Sequence, residues 1–236
     1  MKIFAIGDLH LSFSVENKEM DKFGELWENH YIRLAENWRR LVSPEDLVVV
    51  PGDISWAMTF AEAQKDLLWV SELPGKKLFV RGNHDFWWTS LKKMQSMPEN
   101  ISVLQNSAYV AAQGLVIAGT RGWLCPDDPA FSESDTPIYK RELLRLRMSL
   151  DDAKEKGGEG AKIICAMHFP PSTYADAKSG FVDVLREYGV CDVIYGHLHG
   201  LSWQNRGPQG QISGINYQLV SFDKLGGVPQ LLRNLD

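Results

Sequence analysis

The chain gathers its acid, amide and imidazole side chains into short blocks: Asp8-Leu9-His10, Gly52-Asp53, Gly82-Asn83-His84-Asp85, His168 and Gly196-His197-Leu198-His199. These blocks hold five of its six histidines and no cysteine. Carboxylate and amide oxygens mixed with imidazole nitrogens suit Mn, Fe, Zn or Mg, whereas a thiolate set would favour softer chemistry. A carboxylate can bridge two cations with its two oxygens, and two cations together can activate water and neutralise a phosphoryl group for in-line attack. The residue types therefore point to a two-metal hydrolase.

Apolar, β-branched runs precede these blocks and recur at 3–6, 47–50, 78–80, 101–104, 115–118, 163–166 and 193–195. They read as strands, and the ends of strands in an α/β sheet are where ligands collect. Asp8 and His10 lie two residues apart just past the first run, so an extended backbone would point both side chains the same way. Gly52 permits a tight turn before Asp53.

Helical periodicity separates the strands in a β-α-β-α-β order. Phe23, Trp27, Tyr31, Leu34, Trp38 and Leu41 make one stripe. Thr59-Phe60-Ala61-Glu62 has the form of a capping box, and Phe60, Ala63 and Leu67 then face a core. Trp87, Leu91 and Met94 suggest a third helix after Asp85, and Thr136-Pro137 opens a fourth that runs to Gly157-Gly158. Near the C-terminus, 201–204 and 217–222 read as hairpin strands joined by the turn at 205–210.

In this order, D-x-H, G-D, G-N-H-D, H and G-H-x-H, the chain resembles the calcineurin-like metallophosphoesterases, in their bacterial phosphohydrolase form, over Asp8 to His199. The resemblance implies an α/β fold, a β-sandwich of two mixed sheets flanked by helices. It also implies two divalent metal ions, manganese favoured over Fe, Zn and Mg. Asp8, His10 and His199 would hold one, Asn83, His168 and His197 the other, and Asp53 would bridge them. Seven side chains cannot fill two six-coordinate shells, which leaves positions for water and substrate. By the same resemblance His84 faces the substrate as the catalytic charge stabiliser or proton donor, and Asp85 orients its ring. The implied reaction is phosphoester hydrolysis by a metal-bridging hydroxide, on a small-molecule or nucleotide phosphodiester before a phosphomonoester or a nucleic acid. A non-catalytic metal-binding scaffold is the reading from another class, and the intact ligand set argues against it. Asp53 is followed by Ile54-Ser55-Trp56 and the fourth block ends in Asp85, which departs from the protein serine/threonine phosphatases.

With 236 residues, 44% hydrophobic and 23% charged, the chain fits one domain spanning 1–236. No apolar stretch is long enough to cross a bilayer. The net charge of −5 disfavours an extended nucleic-acid surface and permits a small phosphorylated substrate. Cys125, Cys165 and Cys191 show no paired spacing, and the N-terminus runs straight into the first strand, so a cytoplasmic location is expected. Residues 121–137 lack periodicity and read as a lid or substrate loop, with Arg121 as a candidate phosphate clamp. Trp56, Phe86, Trp87 and Trp88 are candidates for a pocket floor, and Lys140, Arg141, Arg145 and Arg147 give the fourth helix a basic side.

Overall fold

A computed structural model describes residues 1–235. Two compact units form: residues 1–103 with the segment from Val220 onward, and residues 104–219.

The first unit is built on a mixed sheet of β1 (Lys2–Ala5), β2 (Leu47–Pro51), β3 (Lys76–Val80), β4 (Ile101–Leu104) and β11 (Gln230–Asn234), in the order β11-β1-β2-β3-β4. β1, β2 and β3 pair in parallel, and β11 closes the edge antiparallel to β1. Parallel pairing explains why β2 reads as a continuous apolar run: all five of its residues are buried. Helices α1 (His30–Leu41) and α2 (Phe60–Ser71) supply Leu34, Trp38, Ala63 and Leu67 to its core. The capping box forms as expected, Thr59 accepting from the Glu62 backbone while Glu62 reaches back.

Two expectations fail in this unit. The first helix starts at His30, not near residue 23, because Asn29 adopts a left-handed conformation (φ 48°) and short 3-10 turns occupy 20–27. Phe23 is consequently 70% exposed. Between Asp85 and β4 there is no α-helix, only turns and a 3-10 segment at Lys93–Ser96. The Asp85 carboxylate accepts from both the Gly82 backbone and the Trp87 indole, so side-chain hydrogen bonding holds the segment as a loop.

The second unit carries a mixed sheet in the order β5-β6-β7-β8-β10-β9. Its strands are β5 (Tyr109–Ala112), β6 (Leu115–Thr120), β7 (Lys162–Met167), β8 (Asp192–Tyr195), β9 (Gly210–Ile212) and β10 (Ile215–Leu219). β6, β7, β8 and β10 run parallel, with β5 and β9 antiparallel at the edges. Helix α3 (Thr136–Gly157) has the expected boundaries and buries Tyr139, Leu146, Leu150 and Ala153; α4 (Gly180–Glu187) adds Phe181 and Leu185.

The C-terminal hairpin is displaced from its expected place. Leu201–Gln204 forms a single helical turn, α5, and the hairpin is β9–β10, closed by Ser213 (φ 49°) and Gly214 (φ 87°). A two-residue turn with both φ values positive matches the twist of paired strands, which the Pro208-containing segment does not offer. Phe222 belongs to the short helix α6 (Phe222–Leu225), not to a strand. Two mixed sheets flanked by helices therefore make up the fold. Among the described residues, no helix is long and apolar enough to cross a membrane.

Candidate active site

In the first unit the loops after β1, β2 and β3 converge. The backbone N–H groups of Asp8 and His10 donate to the carbonyl oxygens of Gly52 and Asp53, each at 2.9 Å, which ties the first ligand block to the second. The His84 N–H donates to Asp53 Oδ1 at 2.8 Å, which ties the second to the third. His10 Nε2 lies 3.7 Å from Asp53 Oδ2. Asp8, His10 and Asp53 are buried to within 3% exposure, so both carboxylates are withdrawn from water at a steep desolvation cost that a bound cation would offset. Asn83 and His84 are half-buried beside them.

The extended geometry expected of Asp8 and His10 is absent. Asp8 (φ 60°), His10 (φ 46°) and Asp53 (φ 52°) all take left-handed backbone conformations, as does His197 (φ 71°) in the second unit. Each costs an L-residue about 1–3 kcal/mol and persists only where surrounding contacts impose it. The interloop hydrogen bonds supply those contacts. Gly82 leaves the room: a Cβ there would lie 2.0 Å from Asp53 Oδ1.

Asp85 is fully buried and engages several loops at once. One oxygen accepts from the N–H groups of Ile54 (2.9 Å) and Ser55 (3.2 Å) and from the Trp87 indole (2.9 Å); the other accepts from the Gly82 N–H (2.7 Å). Burial pushes its carboxyl above the usual range, and these donors pull it back. Backbone N–H groups and the Trp87 indole are thus among its partners. Trp56 stacks on His10 (centroids 4.9 Å apart) and tilts against His84 (4.3 Å). It supports the imidazoles, Trp87 and Trp88 are core, and Phe86 is 51% exposed.

His30 is also part of this construction. It is buried, and its Nε2–H donates to the Leu9 carbonyl at 2.9 Å, between Asp8 and His10. Desolvation lowers its pKa, which favours the neutral ring. A lone histidine at a helix start gives no hint of a bond spanning 21 residues.

In the second unit β7 leads to His168 and β8 leads to His197 and His199. The backbone N–H groups of His168 and Phe169 donate to the Arg121 carbonyl at 3.2 and 2.9 Å, and Gly196 N–H donates to His168 O at 3.1 Å. His168 Nε2 and His197 Nδ1 approach to 3.3 Å, and Phe169 packs on the His197 ring at 4.1 Å. Two imidazole nitrogens facing one another suit a shared ion. Asp8, His10, Asp53, His168 and His199 each offer one atom that could hold a metal ion.

Arg121 is 17% exposed. Its guanidinium bonds Glu142 at 3.3 Å and lies over the Trp123 ring at 4.5 Å. Glu142, buried on α3, also receives Thr120 Oγ1 (2.5 Å) and Arg145 (2.6 Å). On the basic side of α3, Arg147 forms a bidentate pair with Glu187, while Lys140 and Arg141 are exposed. The 121–137 loop is anchored within itself, the Trp123 indole donating to Asp135 at 2.9 Å, and from outside, Thr173 Oγ1 donating to Asp127 at 2.8 Å.

Comparison with known proteins places these residues in context. The family described as calcineurin-like phosphoesterase matches residues 1–201. The Gene 66 protein of Mycobacterium phage D29 is 37% identical over 84 residues, 35% of this chain and 40% of that protein. The Gene 66 protein of Mycobacterium phage L5 is 35% identical over 78 residues, 33% of this chain and 37% of that protein. The matched segments thus span about two fifths of these curated relatives. Among solved structures, the phosphopantetheinyl hydrolase PptH from Mycobacterium tuberculosis aligns with a TM-score of 0.56 at 16% identity, covering 98% of this chain and 95% of that one. The protein of unknown function AQ665 from Aquifex aeolicus aligns with a TM-score of 0.51 at 15% identity, with the same coverage. At these identities the likeness is one of fold.

Proposed function

Because the chain belongs to the calcineurin-like phosphoesterases, a family of metal-dependent phosphohydrolases, we propose that it hydrolyses a small phosphorylated substrate, a small-molecule or nucleotide phosphodiester in preference to a monoester. The observation that carries this reading is the pair of buried carboxylates, Asp8 and Asp53, on loops locked in left-handed conformations. Burying these two groups on adjoining loops carries a desolvation cost that bound cations would offset. Their neighbours fit the same purpose, with imidazole and amide donors and no thiolate.

In this reading Asp8, His10 and His199 would hold one ion, Asn83, His168 and His197 the other, and Asp53 would serve both. Two such ions, manganese the favoured pair, supply Lewis acidity and an activated water when bound. His84, held by its backbone bond to Asp53 and by the Trp56 ring, stabilises developing charge or gives a proton to the leaving oxygen. Asp85 fixes the loop that presents His84. Arg121, committed to Glu142, borders the substrate region through Trp123. The whole chain acts as one phosphoesterase domain with 121–137 as its substrate loop, and it works in the cytoplasm. The resemblance in fold to a protein named a phosphopantetheinyl hydrolase is in keeping with a phosphoester of a small organic group.

The test is hydrolysis of bis(p-nitrophenyl) phosphate and p-nitrophenyl phosphate by the purified chain with Mn²⁺, Mg²⁺, Zn²⁺ or Fe²⁺ added, beside an Asp53→Asn variant. Metal-dependent turnover, faster on the diester and lost with metal content in the variant, is expected. A metal-loaded protein inert on both esters would overturn the reading.

A further inference from the structure

The second unit contains a cavity of about 380 Å³ beside two of the proposed metal ligands. His197 and His199 form part of its wall, together with Trp123, Phe169, Trp203 and Arg206. We propose that this cavity binds a flat aromatic part of the substrate, a nucleobase, and holds it so that the attached phosphate reaches His197 and His199. The proposal rests on the phosphoesterase reading and extends it to a substrate class, nucleoside phosphoesters.

Size and lining come first. The volume is within the roughly 300–1,000 Å³ of small-molecule pockets, which are mostly apolar with a few placed polar groups. Leu124, Cys125, Phe169 and Leu198 line it with buried or half-buried apolar surface. Such a lining favours a group that sheds water readily.

The aromatic side chains then select shape. Trp123 packs against Phe169 with centroids 5.1 Å apart, and Phe169 packs against His197 at 4.1 Å, so aromatic rings run without interruption from the cavity to an expected metal ligand. The Trp123 indole is held in orientation by its bond to Asp135 and by Arg121 over its ring. Trp203, 49% exposed on α5 directly after the His199-Gly200 turn, is capped by the Arg206 guanidinium at 4.0 Å. An indole and a guanidinium stacked at a pocket rim present a flat polarisable surface, and bases stack on such surfaces whatever their sequence. Arg206 also brings positive charge toward a phosphate.

Polar groups distinguish a base from an alkyl chain. Asp128 and Thr173 line the same cavity, with one Asp128 oxygen oriented by the Ala130 N–H at 2.8 Å. A carboxylate and a hydroxyl can accept from the ring and exocyclic N–H groups of a base. A flexible apolar chain would leave both without use and would lose rotamer freedom on entry.

Isothermal titration of the purified, Mn²⁺-supplemented chain with AMP, GMP, ribose 5-phosphate and n-octyl phosphate tests this. Stacking one base contributes about 1–3 kcal/mol, so AMP or GMP is expected to bind roughly 5–150-fold more tightly than ribose 5-phosphate. Trp203→Ala should remove most of that advantage and leave the ribose 5-phosphate affinity alone. Ala130→Trp, at an exposed position on the cavity wall, should block the bases by filling the space. Equal affinity for AMP and ribose 5-phosphate, tighter binding of octyl phosphate than of either nucleotide, or unaltered nucleotide binding in both variants would overturn the proposal. Turnover of bis(p-nitrophenyl) phosphate separates the two readings. Base-dependent binding without turnover under any metal would sink the phosphoesterase reading and keep the pocket, and turnover without base preference would do the reverse.

Discussion

His30 Nε2 donates to the carbonyl oxygen of Leu9 at 2.9 Å, so a helix-start imidazole fixes the backbone between Asp8 and His10. Trp27 extends the support, packing against both His30 (5.5 Å) and His10 (5.8 Å). His30→Leu keeps the apolar contacts but strands a buried carbonyl, which costs about 1–3 kcal/mol. A lowered melting temperature is expected together with weaker Mn²⁺ retention during dialysis. Unchanged metal content at equal loss of stability would show that His30 serves the fold alone.

Gly82 is the position where a single methyl group should do most damage. The added Cβ of Gly82→Ala would fall 2.0 Å from Asp53 Oδ1 and 2.2 Å from Asp53 N, so the carboxylate must move. Disturbing a group that orients a metal ligand costs ~10–100-fold in affinity or activity. The expected result is loss of metal and of turnover of that size, with helicity by circular dichroism unchanged.

His84→Ala is expected to lower kcat by ~10²–10⁴-fold while both metals stay bound, the range for general acid–base groups. Its ring packs on Trp56, and its backbone N–H, which alanine retains, holds Asp53. The deficit should shrink for esters with good leaving groups. Metal analysis beside steady-state kinetics checks this, and a parallel fall in metal content would reassign His84 as a ligand.

Asp85→Ala should destabilise the chain by more than a typical point substitution. It would strand four donors, on Gly82, Ile54, Ser55 and Trp87, and orphaned buried donors cost about 1–3 kcal/mol each before relaxation. Denaturant unfolding would measure a lower midpoint, and Asp85→Asn, which keeps one acceptor oxygen, should fall between.

Lys77 is 1% exposed, its ammonium donating to the carbonyls of Ser71 (3.2 Å) and Leu73. Burial lowers its pKa from 10.5 to about 8. The folded value is the lower one, so the unfolded chain binds more protons between these values, and stability from this group rises with pH across that window. Unfolding at pH 7.5, 9 and 10.5 should show the difference in stability between wild type and Lys77→Met changing in favour of wild type as pH rises. A constant difference would mean that folding leaves the Lys77 pKa unshifted.

The donor types, their order and the strands before them were legible in the sequence because each depends on local rules: short β-branched apolar runs, glycine at turns, and carboxylate, amide and imidazole chemistry. The Thr59 cap and the 22-residue helix Thr136–Gly157 were legible for the same reason. Tertiary structure decided what depends on partners distant in sequence. The left-handed backbone at Asp8, His10 and Asp53 contradicts local preference and exists because interloop hydrogen bonds impose it. Asp85 overrides a helical pattern at Trp87, Leu91 and Met94 because its carboxylate binds loops 30 or so residues away. His30 meets Leu9 because helix α1 packs its start against the loop after β1, and Trp123, Phe169 and His197 line up because adjacent strands carry their loops to the same edge, relations that spacing along the chain does not encode.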